Sequence, residues 1–145
     1  MALLRTARSA QYPLVQEFVF NFNDTMVDTN GVTQNFSAVA APVVLAFKIP
    51  AGAVVRAGDI IIETAYVGPT AATISVGDSG SATKYASAVD LKTAVRTALI
   101  VPNAVTAGLD VLFTFSFTVA PATAGRARVR VEYTIEGRAN EVQST

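Results

Sequence analysis

Between Leu109 and Glu136 apolar and polar residues alternate along two long stretches. Val111, Phe113, Phe115, Phe117 and Val119 are interleaved with Leu112, Thr114, Ser116 and Thr118. A period of two predicts a strand with one aromatic face for a core and one small or hydroxylated face. Beyond the turn-forming stretch Pro121-Ala122-Thr123-Ala124-Gly125, residues Ala127, Val129, Val131, Tyr133 and Ile135 alternate with Arg126, Arg128, Arg130, Glu132, Thr134 and Glu136. The second strand therefore presents an apolar face to the same core and a charged ladder on its other side.

Weaker versions of the pattern run through the rest of the chain. Leu14–Phe22 reads as a strand with Phe18, Phe20 and Phe22 on one face. Asp24 to Gly31 supplies a turn or short hairpin around Asn30-Gly31, and Val43–Ile49 predicts a strand closed by Pro50-Ala51-Gly52. Asp59–Val67 and Ala71–Val76 read as the next pair, joined by Gly68-Pro69, with Ile60-Ile61-Ile62 suited to burial on both faces. Gly77-Asp78-Ser79-Gly80 turns the chain and Lys84–Ala86 is a short strand. Ser87–Thr97 fits either period, and the reading adopted is an irregular stretch leading into a strand at about Val95–Val101. About eight strands at short spacing predict an all-β fold, an antiparallel β-sandwich of jelly-roll type. Residues 1–13, ending at a proline, read as an extended N-terminal arm and 14–145 as a single domain.

Composition narrows the function. The chain has neither His nor Cys, which removes the commonest metal ligand and general base, thiolate sites and disulfides. Eleven Lys+Arg balance eleven Asp+Glu, so there is no global positive field to hold a phosphate backbone, and nucleic acid is not an expected partner. No apolar run approaches a membrane span of ~20 residues, and no apolar segment of signal-peptide type follows Arg5 and Arg8. Charged residues make up 15% of the chain, against roughly 25% in ordinary soluble domains. Part of so apolar a surface is expected to be covered by a second copy.

The short motifs do not add chemistry. Gly77-Asp78-Ser79-Gly80 matches the letters around a serine-protease nucleophile, but no histidine exists to take the proton. Asp24, Asp28 and Asn30 suggest oxygen ligands for a cation, yet the EF-hand register puts Met26 and Ser37 at ligand positions. Two glycosylation sequons, at Asn23 and Asn35, carry no weight without a secretion signal. Neither a glycosidase carboxylate pair nor a nucleotide-binding glycine motif is present, so no cofactor and no enzymatic activity is expected. Arg126, Arg128 and Arg130 suit either an acidic partner or a face paired with neighbours such as Glu132 and Glu136.

Ile49-Pro50-Ala51-Gly52-Ala53-Val54-Val55, Asp59–Tyr66, Ala72–Asp78, Lys84-Tyr85-Ala86-Ser87 and Thr123–Tyr133 together resemble a pattern of small virion proteins of tailed bacteriophages. The resemblance covers about two-thirds of the chain. It implies a non-enzymatic virion component on the phage head surface, a decoration or cement protein that works as a homotrimer and binds the major capsid protein. Other readings of the same fold are a tail, neck, fibre or baseplate subunit, or a carbohydrate-binding sandwich, the last disfavoured by the absence of Trp. The expected interface residues are Leu3, Leu4, Arg5, Arg8 and Tyr12 of the arm, with Arg126, Arg128 and Arg130 of the last strand.

Overall fold

The computed structural model describes residues 13–35, 42–100 and 108–135. Ten strands run in chain order: β1 (Leu14–Asn21), β2 (Thr25–Val27), β3 (Thr33–Asn35), β4 (Val43–Ile49), β5 (Ala53–Val67), β6 (Ala72–Asp78), β7 (Ser81–Asp90), β8 (Arg96–Ala98), β9 (Leu109–Phe117) and β10 (Ala124–Ile135). Eight of them form two four-stranded sheets, β1-β10-β5-β8 and β4-β9-β6-β7, and β2-β3 is a separate hairpin. All pairings are antiparallel. Of the consecutive large strands, only β6 and β7 share a sheet; every other step crosses the sandwich. Such interleaved Greek keys define the jelly roll expected from the sequence.

Several local expectations need correction. The segments read as a pair, Asp59–Val67 and Ala71–Val76, are not partners, because β5 and β6 lie in opposite sheets and the Gly68–Ala71 connection is a crossover. The first of these strands begins earlier, at Ala53, since Ala53, Val54 and Val55 are all buried beside the end of β10. Ile61 is half-buried where Ile60 and Ile62 are buried, so the isoleucine run has one inner face. β7 is ten residues long although only Tyr85 and Ala86 in it are buried, and the strand after it is confined to Arg96–Ala98. Val119 leaves the alternation of its strand: β9 ends at Phe117 and Val119 is 80% exposed.

The core forms where the two sheets meet. Phe113, Phe115 and Phe117 on the inner face of β9 are 0–3% exposed, and Val129, Val131 and Tyr133 of β10 oppose them in the same cluster. Phe20 meets Phe115 edge to face at 5.0 Å between centroids, and Phe18 meets Phe113 at 5.4 Å. Tyr66 of β5 extends the aromatic row to Phe117 at 5.8 Å. These separations are the favourable tilted and edge-on geometries of aromatic pairs. The Tyr66 ring lies against the backbone of Gly125, where φ is +145° and a Cβ would run into the ring. Glycine is required there by the close approach.

Truncating Phe115 to Ala should lower the unfolding free energy by about 3–5 kcal/mol, because the ring is fully buried among other rings that cannot collapse into the cavity. Equilibrium denaturation in urea measures it; a change of less than about 1 kcal/mol would contradict the packing.

Candidate assembly surface

The outer faces of the two sheets differ in chemistry. On the β1-β10-β5-β8 face, register sets Glu17, Arg130 and Asp59 in one row, and Val19, Arg128, Ile61 and Arg96 in the next. Asp59 is 1% exposed, and its Oδ2 accepts hydrogen bonds from Arg96 Nε at 2.6 Å and Arg130 Nη2 at 3.1 Å. One carboxylate thus ties the three-residue strand β8 to β5 and β10. Its Oδ1 and the Arg130 Nε are buried without a hydrogen-bond partner among the described residues.

The rest of the ladder is also paired within the chain. Arg126 Nε lies 2.8 Å from Glu63 Oε2, Arg128 Nε 3.3 Å from Glu63 Oε1, and Arg128 Nη1 3.7 Å from Glu17. Arg130 reaches Glu132 at 3.9 Å. The sequence pointed to Glu132 but not to Glu63, Glu17, Asp59 or Arg96; Glu136 lies outside the described residues. The missed signal was Asp59 itself, a carboxylate at the head of the Ile60-Ile61-Ile62 run. A charge entering a buried sheet needs a partner on the next strand.

The opposite outer face carries no charge at its centre. Val43 and Leu45 of β4, Leu112, Thr114 and Ser116 of β9, and Thr73, Ser75 and Gly77 of β6 face away from the core. Leu45 is exposed and the Thr114 hydroxyl has no hydrogen-bond partner among the described residues. At one end of this sheet the Asp78 carboxylate closes the β6-β7 hairpin. Its Oδ1 accepts from the Gly80 and Ser81 amides at 2.9 and 3.0 Å, and its Oδ2 from Lys84 Nζ at 2.6 Å and Tyr85 Oη at 3.3 Å. Burial pushes the Asp78 carboxyl up, but the Lys84 ammonium and the two amides outweigh it and hold the group below its ordinary 3.8. The stretch resembling a protease nucleophile is thus a hairpin turn.

The acidic loop is likewise committed to its own backbone. Asp28 Oδ1 accepts from the Asn30 and Val32 amides and its Oδ2 from Gln34, while Asp24 Oδ2 accepts from the Asn21 amide and side chain. Among the described residues no group of three or more His, Cys, Asp or Glu could hold a metal. The arm residues Leu3, Leu4, Arg5, Arg8 and Tyr12 lie outside the described residues.

No family model and no curated protein matches the sequence. Solved structures do. A chain of the cyanophage Pam1 capsid asymmetric unit is similar with TM-score 0.58 and 21% identity, over 92% of this chain and 94% of that one. A chain of the acidic stable capsid of Helicobacter pylori bacteriophage KHP30 gives 0.58 and 15%, over 85% and 87%. One from the capsid of Ralstonia phage GP4 gives 0.51 and 12%, over 91% and 92%. They share its fold. At these identities the likeness concerns the path of the chain and not the identity of surface residues.

Two predictions follow from the charge pairing. Asp59→Asn should cost about 2–4 kcal/mol, near the lower end of the range for breaking a buried pair because both arginines reach solvent. Asp110→Asn, which breaks the exposed 3.7 Å pair with Lys48, should stay within about 0.5 kcal/mol; urea denaturation of the two variants gives the contrast. Because the folded Asp78 carboxyl is lowered, its contribution is complete above 3.8 and is lost as pH falls through the lowered value. The stability gap between wild type and Asp78→Asn, followed by urea melts across the acid range, should therefore narrow as pH falls below 3.8.

Proposed function

We propose that the chain is a non-enzymatic structural protein of a bacteriophage virion, and more specifically a head decoration or cement protein. The observation that carries this reading is the whole-length likeness of its jelly roll to chains from three phage capsids, each matched over most of both chains. The described surface supports it. Carboxylates that would serve chemistry elsewhere here close turns or neutralise arginines of the same chain. A cement protein raises shell stability by binding free energy that exists only in the assembled state.

In this reading the protein is a homotrimer that bridges neighbouring capsomers. The outer face of β4, β9 and β6, free of charge at its centre, supports the seam, since small, hydroxylated and aliphatic side chains are buried with little desolvation cost. Arg126, Arg128 and Arg130 stand on the other outer face, already held in place by their acidic neighbours, and offer the polar part of the capsid contact. The arm docks on an adjacent subunit or on the major capsid protein through Leu3, Leu4 and Tyr12, with Arg5 and Arg8 meeting acidic groups.

Light scattering of the isolated protein at micromolar concentration should return three times the 15.1 kDa chain mass, and Thr114→Arg should reduce it toward one. Deleting residues 1–12 should weaken binding to undecorated heads. Electron microscopy of intact particles is expected to place the protein on the outside of the head; density confined to the tail or neck would reject the decoration reading.

A further inference from the structure

The β2-β3 hairpin turns through Asp28, Thr29, Asn30, Gly31 and Val32, and the last four of these are exposed. Asn30 is the chain's only asparagine that precedes a glycine. Such a pair is chemically labile in water. The main-chain nitrogen of the following residue can attack the asparagine side-chain carbonyl, and glycine has no side chain to hinder the approach. Gly31 has φ +81°, and nothing lies within 4 Å of the place a Cβ would take. Neither burial nor packing therefore shields the pair.

What engages the attacking nitrogen is Asp28. The Gly31 amide donates to the Asp28 carbonyl at 3.0 Å, and the Asp28 amide donates across the turn to Val32 O at 2.8 Å. Asp28 Oδ1 accepts from the Asn30 and Val32 amides at 2.8 and 2.9 Å, and Gln34 Nε2 anchors Oδ2 at 2.9 Å. The carboxylate thus holds the amides on either side of Gly31, and the Asp28 carbonyl holds that of Gly31 itself. To attack, the Gly31 nitrogen must give up its proton, and the turn has to open first. The same turn ties the hairpin to the sandwich: the Thr29 amide donates to Val43 O at 2.9 Å, and Asp28 forms a bridge to Val44 of β4.

We propose that Asn30 is a site of spontaneous deamidation that the Asp28 clamp holds latent in the folded protein. In the reaction a bond forms between Gly31 N and Asn30 Cγ, the Cγ–Nδ2 bond breaks, and the proton of the attacking nitrogen leaves with the side-chain amide as ammonia. Water then opens the succinimide ring. Opening at Cγ leaves aspartate; opening at the Asn30 main-chain carbonyl leaves isoaspartate, with an extra methylene in the backbone. Either product adds a carboxylate two residues from Asp28, and isoaspartate also lengthens the turn through which the hairpin is tied to β4. The site is independent of any role in a virion.

The test incubates wild type, Asp28→Ala and Asp28→Asn in one mildly alkaline buffer, with wild type in the same buffer plus concentrated urea as the unguarded reference. Peptide mapping by mass spectrometry follows the conversion of Asn30. Folded wild type should deamidate there at least about tenfold more slowly than the urea sample, the worth of one hydrogen bond to a charged group. Asp28→Ala should approach the urea rate, and Asp28→Asn, which keeps one acceptor oxygen, should fall between. Circular dichroism checks that each variant retains its β signal; if Asp28→Ala loses it, Asp28→Asn carries the comparison. Equal rates for wild type with and without urea overturn the proposal, and so does the folded variant that carries the comparison if it stays as slow as wild type. Asn30 that stays intact in urea while another asparagine converts overturns the site itself.

Discussion

The row of aromatic rings on the inner face of β9 is the contact on which the two sheets depend. Phe113, Phe115 and Phe117 come from one strand, yet they are packed by Phe18 and Phe20 of β1, Tyr66 of β5 and Phe47 of β4. Every second residue of β9 must be large for the sheets to meet at their usual spacing of about 10 Å without voids. The intervening Thr114 and Ser116 must then face outward, and the same alternation that builds the core also sets the chemistry of one outer surface. The rings leave no room for a side chain at Gly125, so the start of β10 is fixed by Tyr66 as firmly as by its own hydrogen bonds.

What was legible in the sequence was what period two can carry. The strands β1, β9 and β10 were readable because large apolar residues alternate with polar ones, and the sandwich followed from their number and turns. Pairing was not readable: Gly68-Pro69 has the composition of a hairpin turn, but four residues can equally well step across a sandwich, and only burial on both sides of the crossover decides. β7 escaped because its Ser, Ala, Thr and Lys residues lie at an edge where one buried pair, Tyr85 and Ala86, suffices. The start of β5 escaped because Ala53, Val54 and Val55 are buried in succession, which erases the alternation. At the surface the Arg126-Arg128-Arg130 ladder was evident, but its partners are more than sixty positions away at Glu63 and Asp59, and register alone brings them together. Val119 was read as one more core position, since nothing in its alternation with Phe117 announces the turn that removes it.

The two outer faces divide the chain's few charges unequally. Most of those on the β10 side neutralise one another at short range: Arg96, Arg126, Arg128 and Arg130 stand beside Asp59, Glu63, Glu17 and Glu132, while Arg56 donates to the Thr134 hydroxyl. The β9 side has none at its centre. A face whose charges are already matched has little long-range pull on a partner, and a face without charge pays little to be covered. The low charged fraction of the sequence is therefore a local feature, concentrated on one side of the sandwich.

The strand order has a consequence for how the chain reaches this state. β9 and β10 are the last two strands in sequence, but each occupies an interior place in its sheet, β9 between β4 and β6 and β10 between β1 and β5. Until they arrive, β1 has no neighbour in its sheet and β4 none among the large strands. On a ribosome that emits residues from the N-terminus onward, nearly the whole chain must emerge before either sheet can close. Completion is then a single late event with high contact order, slow by the standards of small domains, and truncation just before residue 109 would leave unmated strand edges rather than a smaller folded protein.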